Sequence, residues 1–214
     1  MVRISHFVLA TTRKEFLNLP NYITFGRLAC VPVLVVLMLF TQHEGGALVL
    51  PPAMSLAATA VFIVAMLSDL VDGYYARKHN LTSTFGKFFD PLADKMIFIS
   101  AMIMMIPLGR IPAWLVVIFF VREVIITALR GVAIDKRIVI AASEWGKYKS
   151  VFVSIACVGI LLHYPFLGLQ WRLMGWLFMF PALVFSIGSG IHYTAGFVIA
   201  LKNSTGFPTD TVQP

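Results

Sequence analysis

Six long apolar runs set the terms on which this chain folds. They span 23–40, 53–76, 86–106, 113–132 and 150–164, with a sixth inside 174–201. Most approach the roughly 20 residues a helix needs to cross a bilayer core. With 59% of residues hydrophobic and 13% charged, a soluble globular domain is excluded. The predicted fold is all-α: a membrane protein of six transmembrane helices preceded by a short interfacial helix. The chain divides into an N-terminal interfacial segment (1–20), a six-helix transmembrane domain (21–202) and a C-terminal tail (203–214). No internal repeat or low-complexity segment interrupts it.

The breaks between runs are polar or rich in Gly and Pro. Phe7 to Ala10 is too short for a signal-peptide core, and Arg13-Lys14-Glu15 follows without a small-residue cleavage site. Residues 12–19 read as a short helix on the membrane surface, ended by Pro20. Pro32 falls inside the first run, where a spanning helix tolerates a kink. Residues 41–52 read as a loop carrying Gly45-Gly46 and Pro51-Pro52, 77–85 as a polar connection and 107–112 as a tight loop. Residues 133–149 read as a loop or short helix.

Charge chooses the orientation. Arg3, Arg13, Lys14, Arg27, Arg77, Lys78, Lys87, Lys95, Arg130, Lys136, Arg137, Lys147, Lys149 and Lys202 flank one side of the predicted spans. Only Arg110 and Arg172 flank the other. That bias predicts a multi-pass protein with both termini on the cytoplasmic side. The net charge of +7 is thereby explained by orientation, anionic lipids and anionic substrates rather than nucleic acid. Trp114, Trp145, Trp171 and Trp176 lie near span ends and read as interface anchors, not as a stacking platform for bases. Cys30 and Cys157 both fall in apolar runs, as small core or lipid-facing residues rather than a disulfide or metal pair. The five histidines have no metal-ligand spacing.

Against this background, the stretch from Asp69 to Asp94 stands out. It holds four of the ten acidic residues, Asp69, Asp72, Asp90 and Asp94. Three- and four-residue spacings put each pair on one face of a helix. A single Asp near a helix end is usually a cap or a solvated charge. Two same-face pairs, with small Gly73 and Ala76 between them and Gly86 before the second, are not accounted for that way. Four carboxylates brought together repel unless cations neutralise them. An all-oxygen donor set suits Mg²⁺ or Mn²⁺ better than zinc or copper. Asp69, Asp72 and Asp90 are the natural ligands, with Asp94 able both to bridge to a metal and to accept a proton.

The pattern D-x2-D-G-x2-A-R-x8-G-x3-D-x3-D, matched at Asp69, Asp72, Gly73, Ala76, Arg77, Gly86, Asp90 and Asp94, resembles the signature of the CDP-alcohol phosphotransferase family. The resemblance implies that family's membrane fold and a CDP-linked lipid donor that releases CMP when an alcohol attacks. It implies a homodimer in the bacterial cytoplasmic (inner) membrane with the active site on the cytoplasmic face. It also assigns Asp94 as general base. Gly73 and Gly86 let a nucleotide approach the backbone closely, beside small Ala76, and Arg77 can pair with the diphosphate. Asn21, Thr24 and Arg27, at the start of the first span, are further CDP-binding candidates; Thr24 and Arg27 share a face.

A second stretch bears on the acceptor. Arg122-Glu123-Val-Ile-Ile-Thr127-Ala-Leu-Arg130, then Ser143-Glu-Trp-Gly146-Lys147-Tyr-Lys149, is similar to the corresponding part of family members that use glycerol 3-phosphate. A small dianion needs cationic partners, and Arg130, Lys147, Lys149 and Arg122 are the candidates. Arg122 lies deeper in its run, where an unpaired Arg is costly, and adjacent Glu123 is expected on a different face. Either residue can instead make structural pairs with neighbouring helices. The expected substrates are thus CDP-diacylglycerol and glycerol 3-phosphate in a lipid membrane. The rivals are other acceptors (inositol phosphate, serine, phosphatidylglycerol) and, from a different class, a divalent-cation transporter using the Asp cluster as its ion site.

Overall fold

The computed structural model describes residues 19–79, 84–135 and 144–205; within these, the side chains of 19–24, 69–79, 84–94, 134–135, 144, 147 and 202–205 lie outside the description. The expected surface helix at 12–19, apart from its last residue, and the tail beyond 205 therefore lie outside the described residues. Six helices carry almost all of the rest: α1 (Leu19–Leu39), α2 (Pro52–His79), α3 (Thr84–Met105), α4 (Ala113–Asp135), α5 (Glu144–Leu162) and α6 (Trp171–Thr205).

The helix starts follow from local chemistry. Pro20 sits in the first turn of α1, where no intrahelical acceptor is needed for its missing N–H. It thus opens that helix. α1 then runs through Pro32 without ending. Pro52 likewise opens α2, and the amide of Ser55 closes the first turn onto the carbonyl of Pro51 at 2.9 Å.

Several expected boundaries are corrected. The loop predicted at 41–52 contains a hairpin: β1 (Gln42–Glu44) pairs antiparallel with β2 (Ala47–Val49) across Gly45-Gly46. Both glycines have positive φ, 57° and 84°, as a two-residue type I′ turn requires. A second hairpin, β3 (Pro165–Phe166) with β4 (Leu169–Gln170), joins α5 to α6. The region 133–149 is not a free loop at either end, because α4 extends to Asp135 and α5 begins at Glu144. α6 is longer than the predicted run, with 35 residues and Pro181 inside it.

α5 and α6 make the most extensive pairing, α1 packs on both α2 and α3, α2 on α5, and α4 on α6. Buried side chains recur at helical spacing: Val31, Leu34 and Met38 on α1; Ala58, Phe62 and Ala65 on α2; Ala156, Cys157 and Ile160 on α5. Phe62 meets Phe98 of α3 edge to face, 5.1 Å between centroids. Both cysteines are free, as expected, and Cys157 is a core residue.

The closest approach is at Gly159 and Gly175. A Cβ on Gly159 would lie 2.6 Å from the Cα of Gly175, and one on Gly175 would lie 2.6 Å from the amide nitrogen of Ile160. Both obstacles are backbone, so α5 and α6 touch main chain to main chain here, as small residues permit between apolar helices.

Arg110, read from the sequence only as a charge on the side opposite the aspartates, is buried at 4% exposure. Its Nη1 donates to the carbonyl of Leu161 at 2.6 Å, and its Nη2 to Oγ of Ser55 at 2.7 Å. The first of these satisfies an acceptor in the last turn of α5, which no intrahelical N–H can reach. Tyr164 packs near the guanidinium and donates its hydroxyl to the carbonyl of Leu50 at 2.7 Å. Burial lowers the Arg110 pKa to about 10, against a smaller opposing pull from Tyr164, so the group stays charged at neutral pH. Arg110→Ala is expected to lower stability by about 3 kcal/mol, since two buried acceptors lose a charged donor. Thermal unfolding in detergent reads this, and an unchanged midpoint would remove the clamp.

The outer surface is strongly apolar: Phe180 is 73% exposed, Leu177 67% and Ile191 66%. Among the described residues, α6 is long and apolar enough to cross a membrane over Trp171–Leu201. Shorter apolar stretches occupy Phe25–Leu39, Pro52–Ser68, Lys95–Met105 and Tyr148–Leu162.

Candidate functional site

The helices place the signature residues before any side chain is considered. Asp69, Asp72, Gly73, Ala76 and Arg77 lie in the second half of α2, and Gly86, Asp90 and Asp94 in the first half of α3. These two helices pack together and are separated in sequence only by 80–83, so both Asp pairs belong to the same end of the fold. The side chains of these residues, and of Asn21, Thr24 and Lys147, lie outside the described residues. Arg27 is described; it is 1% exposed on α1.

Lys95, the residue after Asp94, is the first described side chain of this end, and it opens onto a cavity. The cavity has a volume of about 510 Å³ between α3, α4, α5 and α6. Its apolar wall includes Phe98, Met102, Phe119 and Val153; its polar wall holds Lys95, Arg122, Glu123, Arg130, Lys149 and Ser189. Four cations face one carboxylate among the described lining residues.

Glu123 organises this wall. Its Oε1 accepts from Nη1 of Arg122 at 2.7 Å and from Nζ of Lys149, while its Oε2 lies 4.0 Å from Nζ of Lys95. Lys95 also donates to Oγ1 of Thr127, which donates in turn to the backbone carbonyl of Glu123 at 2.7 Å. The expectation that Glu123 points away from Arg122 is thus wrong. Adjacent helical residues leave the axis about 100° apart, but two long side chains reach across that angle.

Arg122 is held on its other side by α6. Its Nη2 donates to Oγ of Ser189 at 2.6 Å and its Nε to the carbonyl of Ser186 at 3.3 Å. The expected structural pairing with a neighbouring helix is therefore present. A wide arginine fits here because α6 offers Gly190, where an added Cβ would already lie 3.4 Å from Cγ of Arg122. Arg130 is exposed, with its guanidinium 5.8 Å from the ring centroid of Tyr193.

Of the acceptor candidates, the structure brings Arg122, Arg130 and Lys149 to one cavity. It adds residues not singled out for the site: Glu123, Lys95, Thr127, Ser189 and Tyr193. A signal for the first was present, since an acid inside an apolar run needs a partner. Lys95 was obscured by its equal value as an orientation charge. Among the described residues, no group of three or more His, Cys, Asp or Glu side chains could hold a metal. The metal assignment rests on the four Asp residues alone.

Comparison with known proteins gives the family. The family model for CDP-alcohol phosphatidyltransferase matches residues 17–188, which includes the Asp stretch and the cavity lining from α3, α4 and α5. A Bacillus subtilis protein named CDP-diacylglycerol–glycerol-3-phosphate 3-phosphatidyltransferase is 39% identical over 195 residues, 87% of this chain and 98% of that protein. A Mycobacterium tuberculosis protein named probable phosphatidylglycerophosphate synthase is 34% identical over 184 residues, 86% of this chain and 83% of the relative. A Rickettsia typhi protein with the same name as the Bacillus one is 30% identical over 145 residues, 68% of this chain and 76% of that protein. With the family model and full-length relatives in agreement, the chain belongs to the CDP-alcohol phosphatidyltransferase family.

Proposed function

We propose that this chain transfers the phosphatidyl group of CDP-diacylglycerol to glycerol 3-phosphate, giving phosphatidylglycerophosphate and CMP. The observation that carries the acceptor is the cavity beside Lys95, which four cations line with a single described carboxylate that three of them already engage. A phosphate dianion suits that charge balance. An ammonium such as serine's would find, among the described lining residues, no carboxylate that is not already shared by several cations. The names borne by the Bacillus and Mycobacterium relatives point the same way.

In this reading each candidate group has a part in the chemistry. Arg130, Lys149 and Lys147 hold the acceptor phosphate. Arg122, with its nitrogens committed to Glu123, Ser186 and Ser189, contributes charge to the wall rather than a direct contact. Asp94, next in sequence to Lys95, takes the proton from the attacking hydroxyl. That oxygen bonds to the lipid-bearing phosphorus, and the bond from this phosphorus to CMP breaks in line with it. Arg77 and the open backbone at Gly73 and Gly86, with Ala76, Asn21, Thr24 and Arg27 around them, hold the nucleotide. Asp69, Asp72, Asp90 and Asp94 are an all-oxygen donor set fitted to Mg²⁺ or Mn²⁺, which when bound would offset the charge of the diphosphate.

In this reading α1 to α6 are six spans of the bacterial cytoplasmic membrane, with both termini and the site on the cytoplasmic face, and the protein is a homodimer. The exposed apolar side chains around the bundle and the one-sided distribution of basic residues support the placement.

Purified protein in mixed micelles with CDP-diacylglycerol, offered labelled glycerol 3-phosphate, inositol phosphate, serine or phosphatidylglycerol in turn, tests the acceptor. CMP release with glycerol 3-phosphate is expected; release with inositol phosphate and none with glycerol 3-phosphate overturns the assignment. Divalent-cation flux in liposomes without CMP formation would favour a transporter. Replacing Lys147 and Lys149 together by Ala is expected to raise the acceptor KM by about 10- to 100-fold with a smaller change in the donor KM. An effect on the donor alone would move them out of the acceptor pocket.

A further inference from the structure

The geometry points to Glu123 as a positioning residue for the acceptor site: a partly buried anion that holds the acceptor's cations in place and does not itself touch the acceptor. This inference rests on the acceptor-site reading above. Its ground is the distribution of partners over the fold. Oε1 joins Arg122 of α4 to Lys149 of α5, and Oε2 faces Lys95 of α3. The carboxylate is 18% exposed, and the three cations around it are 13% to 28% exposed. α4 packs more closely on α6 than on α3, so across the cavity this one side chain links α4 to two helices it otherwise meets sparingly.

Cations gathered this closely in a partly dry site repel one another and spread apart unless an anion sits among them. Glu123 supplies that anion. It fixes the separation of Lys95 and Lys149 and turns Arg122 toward Ser189, so an incoming dianion meets charges already in position. It also ties the pocket to α3 one residue beyond Asp94, which keeps acceptor and base in register.

Two opposite outcomes follow for Glu123→Gln. On net charge alone, removing the only described acid of the wall would tighten binding of a dianion. If Glu123 positions the cations, binding weakens instead. We expect E123Q to raise the KM for glycerol 3-phosphate by about 10- to 100-fold, the range typical of losing a group that orients a ligand's direct partners. The KM for CDP-diacylglycerol should stay within about twofold and kcat should fall by less than about fivefold. Glu123→Asp, which keeps the charge with a shorter reach, should give an intermediate acceptor KM.

An unchanged or lower acceptor KM in E123Q overturns the inference, as does an equal rise in both KM values. If E123Q is not recovered folded, E123D decides alone: an intermediate acceptor KM supports the role and a wild-type value overturns it. If the wild type proves inactive with glycerol 3-phosphate, the functional reading fails and the inference is judged by inorganic phosphate binding. Weaker phosphate binding to E123Q than to wild type then supports it, and equal or tighter binding overturns it.

Discussion

Asp94→Asn is expected to abolish phosphatidyl transfer, lowering kcat by about 10³-fold or more while CDP-diacylglycerol still binds within a few-fold of wild type. Asn has the shape of Asp and keeps an oxygen for a cation or a hydrogen bond. It lacks the basicity to take a proton from an attacking hydroxyl. The change therefore separates proton acceptance from every other use of this position. Asp94 occupies the first half of α3, one residue before Lys95, which lines the cationic wall. Initial rates of CMP release, together with equilibrium binding of the donor, make the measurement. Full turnover in the variant would refute the role of base. Loss of donor binding equal to the loss of turnover would assign Asp94 to the nucleotide site instead.

The second large effect concerns folding rather than chemistry. Gly175→Ala is expected to cost at least about 3 kcal/mol, and Gly175→Leu to prevent assembly of the native bundle. The added Cβ would stand 2.6 Å from the nitrogen of Ile160 and 2.9 Å from the carbonyl carbon of Gly159. Neither backbone atom can swing aside as a side-chain tip would, so the helices must separate. Separation here loosens the largest helix pairing of the fold. Gly131→Ala is the control: its Cβ would meet nothing within 4 Å, and helical glycine to alanine is neutral or mildly stabilising there. Thermal unfolding in detergent compares the two. A Gly175→Ala midpoint as high as that of Gly131→Ala would contradict the close crossing.

Much of this was legible in the residues. The six apolar runs correspond to the six helices because run length and helix length answer to the same requirement, an apolar surface to cover. The hairpin at 42–49 was not legible, since three residues per strand are too few for an alternating pattern to stand out, although Gly45-Gly46 marked its turn. The start of α5 read as a loop or a short separate helix because Glu144, Gly146, Lys147 and Lys149 look like a solvated connection. In the fold they form the first turns of a helix that delivers Lys149 to the cavity. The aspartates were visible as a motif, and the structure adds that their helices pack together. The particular partners of Arg110 and Glu123 were not legible for a common reason: they come from helices far away in sequence. Ser55 and Leu161 in one case, and Lys149 and Lys95 in the other, become neighbours only once the bundle has formed.

The clamp at Arg110 has a mechanical consequence. It binds the first turn of α2 to the last turn of α5, at the end of the bundle opposite the aspartates. Helices tied at one end spread like the legs of a pair of compasses, with displacement growing toward the untied tips. α2 has 28 residues, so a swing of about 5° carries its distal turn roughly 4 Å. On the proposed function a two-tailed lipid donor would need such spreading to slip sideways between helices, and a pivot at Arg110 would put it at the end that carries the aspartates.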